Sequence, residues 1–185
     1  DTLYREIPDF FLDNTCAGGG RMEIEMASRG VTLWRSDSTH GADKEETQVH
    51  TQRLARWIPF QAIGAVSSWG NDYETRSLYS GSVGFSGRSL TEEAGPEIKR
   101  TFDEINALLP YWYGDYYQLL DQKYDKESWQ AYEHFREDLD EGFFTVIRRE
   151  NAEAESVNLK LCGLTADAVY EIKEALSDEV FYEAT

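Results

Sequence analysis

FFLDNTCAGGGRMEIEM, residues 10–26, passes from an apolar run through an acid and an amide into consecutive glycines, then into a helical pattern. The apolar run is entered through Pro8, so IPDFFLDN (Ile7 to Asn14) reads as a strand. Arg21 to Arg29 then places Met22, Met26 and Arg29 at helical spacing, closed by Gly30. A glycine-rich turn between strand and helix can offer backbone amides to an anion. CAGGGR has neither the G-x-G-x-x-G spacing of a dinucleotide fold nor the lysine and hydroxyl of a P-loop, so its spacing argues against phosphate. Spacing alone favours a tight turn whose glycines allow positive φ. Position adds a second possibility, because Asp13, Asn14, Cys16 and the glycines fall just past the carboxyl end of a strand, where parallel α/β folds hold ligands.

The same rhythm continues downstream. VTLWRSD (Val31 to Asp37) reads as the next strand, and Lys44 to Trp57 as a helix that puts Val49, Leu54 and Trp57 on one face before Pro59. AIGAVSS (Ala62 to Ser68) and SGSVGFS (Ser80 to Ser86) are further strands, joined by a loop holding Trp69, Asn71 and Asp72. Thr91 to Leu109 reads as a helix capped by Thr91, with Ile98, Phe102, Ile105 and Leu109 on one face and Pro110 as its stop. Strands alternating with helices predict a parallel sheet, either open and doubly wound or closed as a barrel. After YWYGDYYQLL the character changes: SWQAYEHF, GFFTVIRR and SVNLKL are β-prone runs between acidic turns, which predicts antiparallel sheet beyond a boundary near Tyr113.

Composition narrows the partners. Of 185 residues, 41% are hydrophobic and 29% charged, as in a globular protein. The 35 acidic and 18 basic residues leave a formal charge of −17, which argues against nucleic acid or an anionic membrane surface and makes a neutral ligand the easier fit. Cys16 and Cys162 sit in unlike contexts without metal-ligand spacing, so neither a disulfide framework nor a zinc site is indicated. No apolar run approaches the roughly 20 residues that span a bilayer, and the start has neither a basic region nor an apolar signal core. A cytoplasmic location is the expectation. The chain starts at Asp1 rather than methionine, which fits a piece of something longer.

Asp37 ends the Val31 to Asp37 strand two residues after Arg35 and beside Trp34 and Ser36. A carboxyl delivered next to an indole can have its pKa raised by desolvation, which suits general acid work. Glycoside hydrolysis needs such a group to protonate the leaving oxygen, with a second carboxylate acting from the opposite face of the sugar. Trp34 and Trp69 could supply a flat platform for the sugar, although a core tryptophan is the commoner fate of either taken alone.

LDNTCAGGGRMEIEM followed by LWRSDST resembles glycoside hydrolase family 36, the α-galactosidases, in which a cysteine and glycine-rich turn ending in arginine follows the fifth barrel strand and a tryptophan-x-serine-aspartate motif follows the sixth. SGSVGFS is similar to the family's eighth strand, and WQAYEHF and GFFTVIRR to the opening strands of its C-terminal β-domain. The resemblance implies an α/β fold: strands five to eight of a (β/α)8 barrel over residues 1–112, then an antiparallel β-sandwich domain over residues 113–185. It implies a retaining hydrolase acting on terminal α-linked galactose in oligosaccharides, with no metal or organic cofactor, and with homo-oligomerisation of the full-length enzyme left open.

By position, Asp37 corresponds to the general acid/base, and Cys16, Gly18 and Gly19 to the turn that contacts the galactosyl hydroxyls. Arg21 corresponds to a residue fixing that turn, and Trp34 and Ser36 to substrate contacts. Thr15 is inserted before the cysteine, the turn behind it is one residue shorter than the family's, and the histidine often found after the seventh strand is absent from AIGAVSSWG. The family's nucleophile lies in a lysine-x-aspartate context after the fourth strand, and nothing before Phe10 resembles it, so the resemblance puts that residue upstream. If a second carboxylate lay within the chain, Asp13, Asp43 and Asp72 would be the places to search. The family also implies α-N-acetylgalactosaminidase or galactosyl transfer as alternatives, and a catalytically inactive carbohydrate-binding or assembly piece is a reading from another class.

Overall fold

The computed structural model describes residues 1–14, 20, 22–30, 33–34, 43–58, 61–66, 71–80, 82–85, 91–177 and 179–184. Among these residues, β1 (Leu33–Trp34), β2 (Gln61–Val66) and β3 (Ser82–Phe85) form a parallel sheet in that order. Leu33 pairs with Gln61 and Trp34 with Ala62, and Ala62 in turn pairs with Ser82. On the far side of β1, the Trp34 amide donates to the Asn14 carbonyl at 2.8 Å. The run expected as a strand over residues 7–14 therefore touches the sheet through its last residue, although its burial alternates: Phe10 and Leu12 are half-buried, Phe11 and Asp13 exposed, and Asn14 buried.

The helices lie where caps permit them. α1 (Thr2–Glu6) precedes the first run, and α2 (Ile24–Ala27) is shorter than the periodicity over 21–29 suggests. Glu23 sets its start by accepting from the Glu25 and Met26 amides at 2.9 and 2.8 Å. α3 (Lys44–Ala55) is capped by Asp43, whose Oδ1 accepts from the Glu45 amide at 3.1 Å. Its buried face is broader and more polar than expected: Val49 is inward, but so are Glu45, Gln48, Gln52 and Ala55, while Leu54 is half-buried and Trp57, past the end of the helix, is 82% exposed. α4 (Asp72–Ser77), capped by Asn71, occupies part of the segment read as loop. α5 (Gly95–Leu108) starts at a glycine and proline rather than at Thr91, whose hydroxyl instead accepts from the Ala94 amide in the preceding turn.

A 3₁₀ turn (Leu109–Tyr113) leads into β4 (Asp115–Gln118), β5 (Trp129–Arg136) and β6 (Glu141–Arg148), an antiparallel sheet in chain order. β7 (Tyr170–Lys173) and β8 (Val180–Ala184) form an antiparallel pair. SVNLKL is not paired as a strand; Val157, Leu159 and Leu161 are nevertheless half-buried and Asn158 and Lys160 exposed, so its alternation marks two faces without a ladder.

The apolar core joins α5 to the antiparallel sheet, with Tyr79, Trp112 and Tyr132 packed against Ile105, Leu108, Tyr116 and Phe143. Trp112, just before the boundary read near Tyr113, is 2% exposed. Gly114 lets the chain pass this close to β5, because a Cβ there would stand 2.3 Å from the Phe135 carbonyl oxygen. Among the described residues no helix is long and apolar enough to cross a membrane.

Candidate active site

Parallel strands joined by helices carry their loops to one rim, and that rim is where α/β folds do chemistry. Here it is approached by the carboxyl ends of β1 and β2 and by the amino ends of α3 and α4, which return from it, with Asn14 bridged to Trp34 beside β1. Asp37, Cys16, Gly18, Gly19, Arg21 and Ser36 lie outside the described residues. So does Trp69. Trp34 is described, and its indole Nε1 donates to Asp13 Oδ1 at 2.8 Å. Two residues from neighbouring segments are thus tied together, which fixes the orientation of the indole.

The backbone beneath this pair is close-packed. Asn14 is 3% exposed, and its side-chain amide donates to the Met26 carbonyl at 3.4 Å. Gly30 makes room for that amide: a Cβ there would lie 2.6 Å from Asn14 Nδ2 and 2.6 Å from the Leu12 carbonyl oxygen. Asp13 and Trp34 therefore project from a backbone whose spacing depends on Gly30, in the link between α2 and β1.

A second carboxyl group of interest sits at the amino end of α3. Hydrogen bonding with Glu45 holds Asp43 below the usual carboxylate range, helped by a 3.3 Å bond from the Tyr124 hydroxyl. Burial, and then the bond shared with Asp43, push Glu45 the other way, while Tyr73 donates to its Oε1 at 3.2 Å. Gln48 Nε2 donates to the Tyr73 hydroxyl at 3.1 Å and to Ser77 Oγ at 2.8 Å, which locks the network between α3 and α4. The shared bond thus moves the two carboxyl groups in opposite directions. Sequence reasoning named Asp43 but missed Glu45, Gln48 and Tyr73; the available signal was the D-x-E spacing of Asp43 and Glu45 at a helix start. Asp72, the third acid named for the search, is engaged by the Arg100 guanidinium. Among the described residues no group of three or more His, Cys, Asp or Glu side chains could hold a metal ion.

No family model matches the chain. The bifunctional alpha-galactosidase/sucrose kinase AgaSK of Mediterraneibacter gnavus is 27% identical over 186 aligned positions, which take in 92% of this chain and 19% of that protein. Alpha-galactosidase Mel36A of Lactobacillus acidophilus is 23% identical over 199 positions, covering 97% of this chain and 25% of its own length. The chain thus spans a quarter or less of the relatives it matches, and both carry alpha-galactosidase in their names.

Proposed function

We propose that this chain belongs to a retaining glycoside hydrolase that removes terminal α-linked galactose from oligosaccharides, and that it contributes the second half of the catalytic barrel and the start of the following β-domain. The observation that carries this reading is an alignment running through 92% and 97% of the chain to two proteins named as alpha-galactosidases. The order β1-β2-β3, all parallel, and the Asn14 bridge beside β1 support a barrel segment. The contact between Trp34 and Asp13 at adjacent strand ends supports a ligand site on that rim.

In this reading Asp37 is the general acid/base. It protonates the glycosidic oxygen as the galactosyl carbon is attacked, then takes a proton from the water that releases the sugar. Trp34 lines the pocket and Asp13 holds its indole. Cys16, Gly18, Gly19, Arg21 and Ser36 contact or support the galactosyl hydroxyls, and the attacking carboxylate comes from a lysine-x-aspartate segment elsewhere in the polypeptide. The test uses the complete enzyme. Asp37→Ala should lower turnover of an unactivated galactoside by about 10² to 10⁴-fold or more, with a much smaller loss for an aryl galactoside whose leaving group needs no proton. Azide should restore part of the aryl turnover, because a small anion attacks the glycosyl intermediate without a general base. Equal losses on both substrates with no azide effect would remove Asp37 from this role.

A further inference from the structure

The carboxyl end of α3 carries a feature that the galactosidase reading does not use. Arg53, Arg56 and Trp57 face Gln118, Asp121 and Lys123 across an open cavity of about 590 Å³. Because α3 leads from the carboxyl end of β1 back to the amino end of β2, this cavity lies at the rim opposite Trp34 and Asp13. Three cations share it with one carboxylate, in a chain whose formal charge is −17. Elsewhere the basic side chains tend to meet acids: Arg76, Arg100, Lys126, Arg136 and Arg149 each face a carboxylate. Among the described residues Arg53, Arg56 and Lys123 form no ion pair; Arg53 Nη2 donates to the Gln122 carbonyl at 3.1 Å.

Basic residues in a last helical turn offset the macrodipole, which accounts for the placement of Arg53 and Arg56. It does not account for Lys123 from a different segment or for the exposed indole. Gln122 Nε2 is committed to the Tyr116 hydroxyl at 2.9 Å, which holds the loop that carries Asp121 and Lys123. The cavity therefore presents cations for an anion, a carboxylate for hydroxyls and a flat apolar face 82% open to solvent.

We propose that this cavity binds an anionic monosaccharide, a sugar ring bearing a phosphate or carboxylate. The ring's C–H face lies on Trp57, its hydroxyls donate to the Asp121 carboxylate, and its anion sits among Arg53, Arg56 and Lys123. Phosphate and carboxylate share the chemistry that the guanidinium groups recognise, so both sugar phosphates and sugar acids belong to the class. The site is independent of catalysis at the opposite rim, and its readout is binding rather than hydrolysis.

Calorimetric titration of the intact protein with galactose 6-phosphate, galacturonate, galactose and inorganic phosphate tests it. One or both anionic sugars should bind, with galactose and inorganic phosphate each weaker by about tenfold or more, since each lacks one half of the recognition. Arg56→Ala and Trp57→Ala should each weaken binding of the anionic sugar by about tenfold, Arg56→Lys should retain most of it, and none should change the far-ultraviolet dichroism. Equal binding of inorganic phosphate would reduce the site to an anion patch and overturn the proposal. Binding of galactose at the same strength, binding indifferent to both alanine variants, or no binding of either anionic sugar would overturn it equally.

Discussion

His134 on β5 is 0% exposed, and neither of its ring nitrogens has a hydrogen-bond partner. Aromatic rings enclose it: Trp112 from the 3₁₀ turn at 4.4 Å between centroids, Tyr116 from β4 at 5.3 Å, Tyr132 on β5 at 6.0 Å, and Phe143 from β6 stacked at 5.3 Å. Desolvation in this cage pushes the imidazole down to about 4. The unfolded chain, with an ordinary imidazole near 6.5, then binds the extra proton first as acid is added. The contribution is fully present above the unfolded value and is lost as pH falls from about 6.5 toward about 4. At 1.36 kcal/mol per unit, the full swing is worth about 3 kcal/mol. His134→Phe keeps the stack on Phe143, removes both unsatisfied nitrogens and abolishes the titration. Urea unfolding followed by tryptophan fluorescence should therefore find the variant at least as stable as the parent at about pH 7. Its advantage should grow by about 3 kcal/mol on going to about pH 4, the carboxylates common to both proteins cancelling in the difference. A stability difference that stays constant across this range, or an imidazole that titrates near 6.5 by NMR in the folded protein, would refute the reasoning.

Arg149→Met removes a guanidinium that donates to Gln48 Oε1 at 3.1 Å and to the Lys123 and Asp125 carbonyls at 2.6 Å each. Leaving these buried acceptors and the Asp125 carboxylate without their cation should cost about 3 to 5 kcal/mol, read as a lowered denaturant midpoint, whereas a midpoint unchanged would mean that solvent reaches them. Glu104, 2% exposed, receives Arg76 through bonds of 2.9 and 3.0 Å, so Glu104→Gln should cost about 1.5 to 3 kcal/mol by the same assay. The loss should be insensitive to added salt, because a buried bidentate pair is poorly screened.

The elements that sequence periodicity picked out best were those whose two faces meet different surroundings. α5 was legible because Ile98, Phe102 and Ile105 recur at helical spacing, and β5 and β6 because long β-prone runs stood between acidic turns. α4 was not, because six residues with an asparagine cap and no apolar stripe look like a loop until Arg76 and Tyr79 are seen to pack. α3 was found as a helix, but of its expected apolar face Val49 alone is buried. Most of its other inward residues are glutamine, threonine and glutamate, which periodicity assigns to solvent, and Trp57, expected on the inner face, lies past its end and is exposed.

The physical reason for that polar face is, in part, the surface opposite α3. Gln48 meets Arg149 from the end of β6 as well as Tyr73 and Ser77 from α4, so at this point the seam between helix and sheet is held by hydrogen bonds rather than by apolar area. A buried amide left unpaired costs about 1 to 3 kcal/mol more than a paired one, and Gln48 is paired from distant segments, whereas the Gln52 side chain on the same face has no partner among the described residues. Those partners are separated from Gln48 by long stretches of chain, and no window along the sequence contains them together. The candidate site divides along the same line. Asp13 and Trp34 could each be named from a strand end, but their hydrogen bond required two strands to be neighbours. Glu45 could not be singled out among the acids of Lys44–Ala55 until Asp43 and Tyr73 were placed against it, because a helix start rich in acids is also what an ordinary surface helix displays.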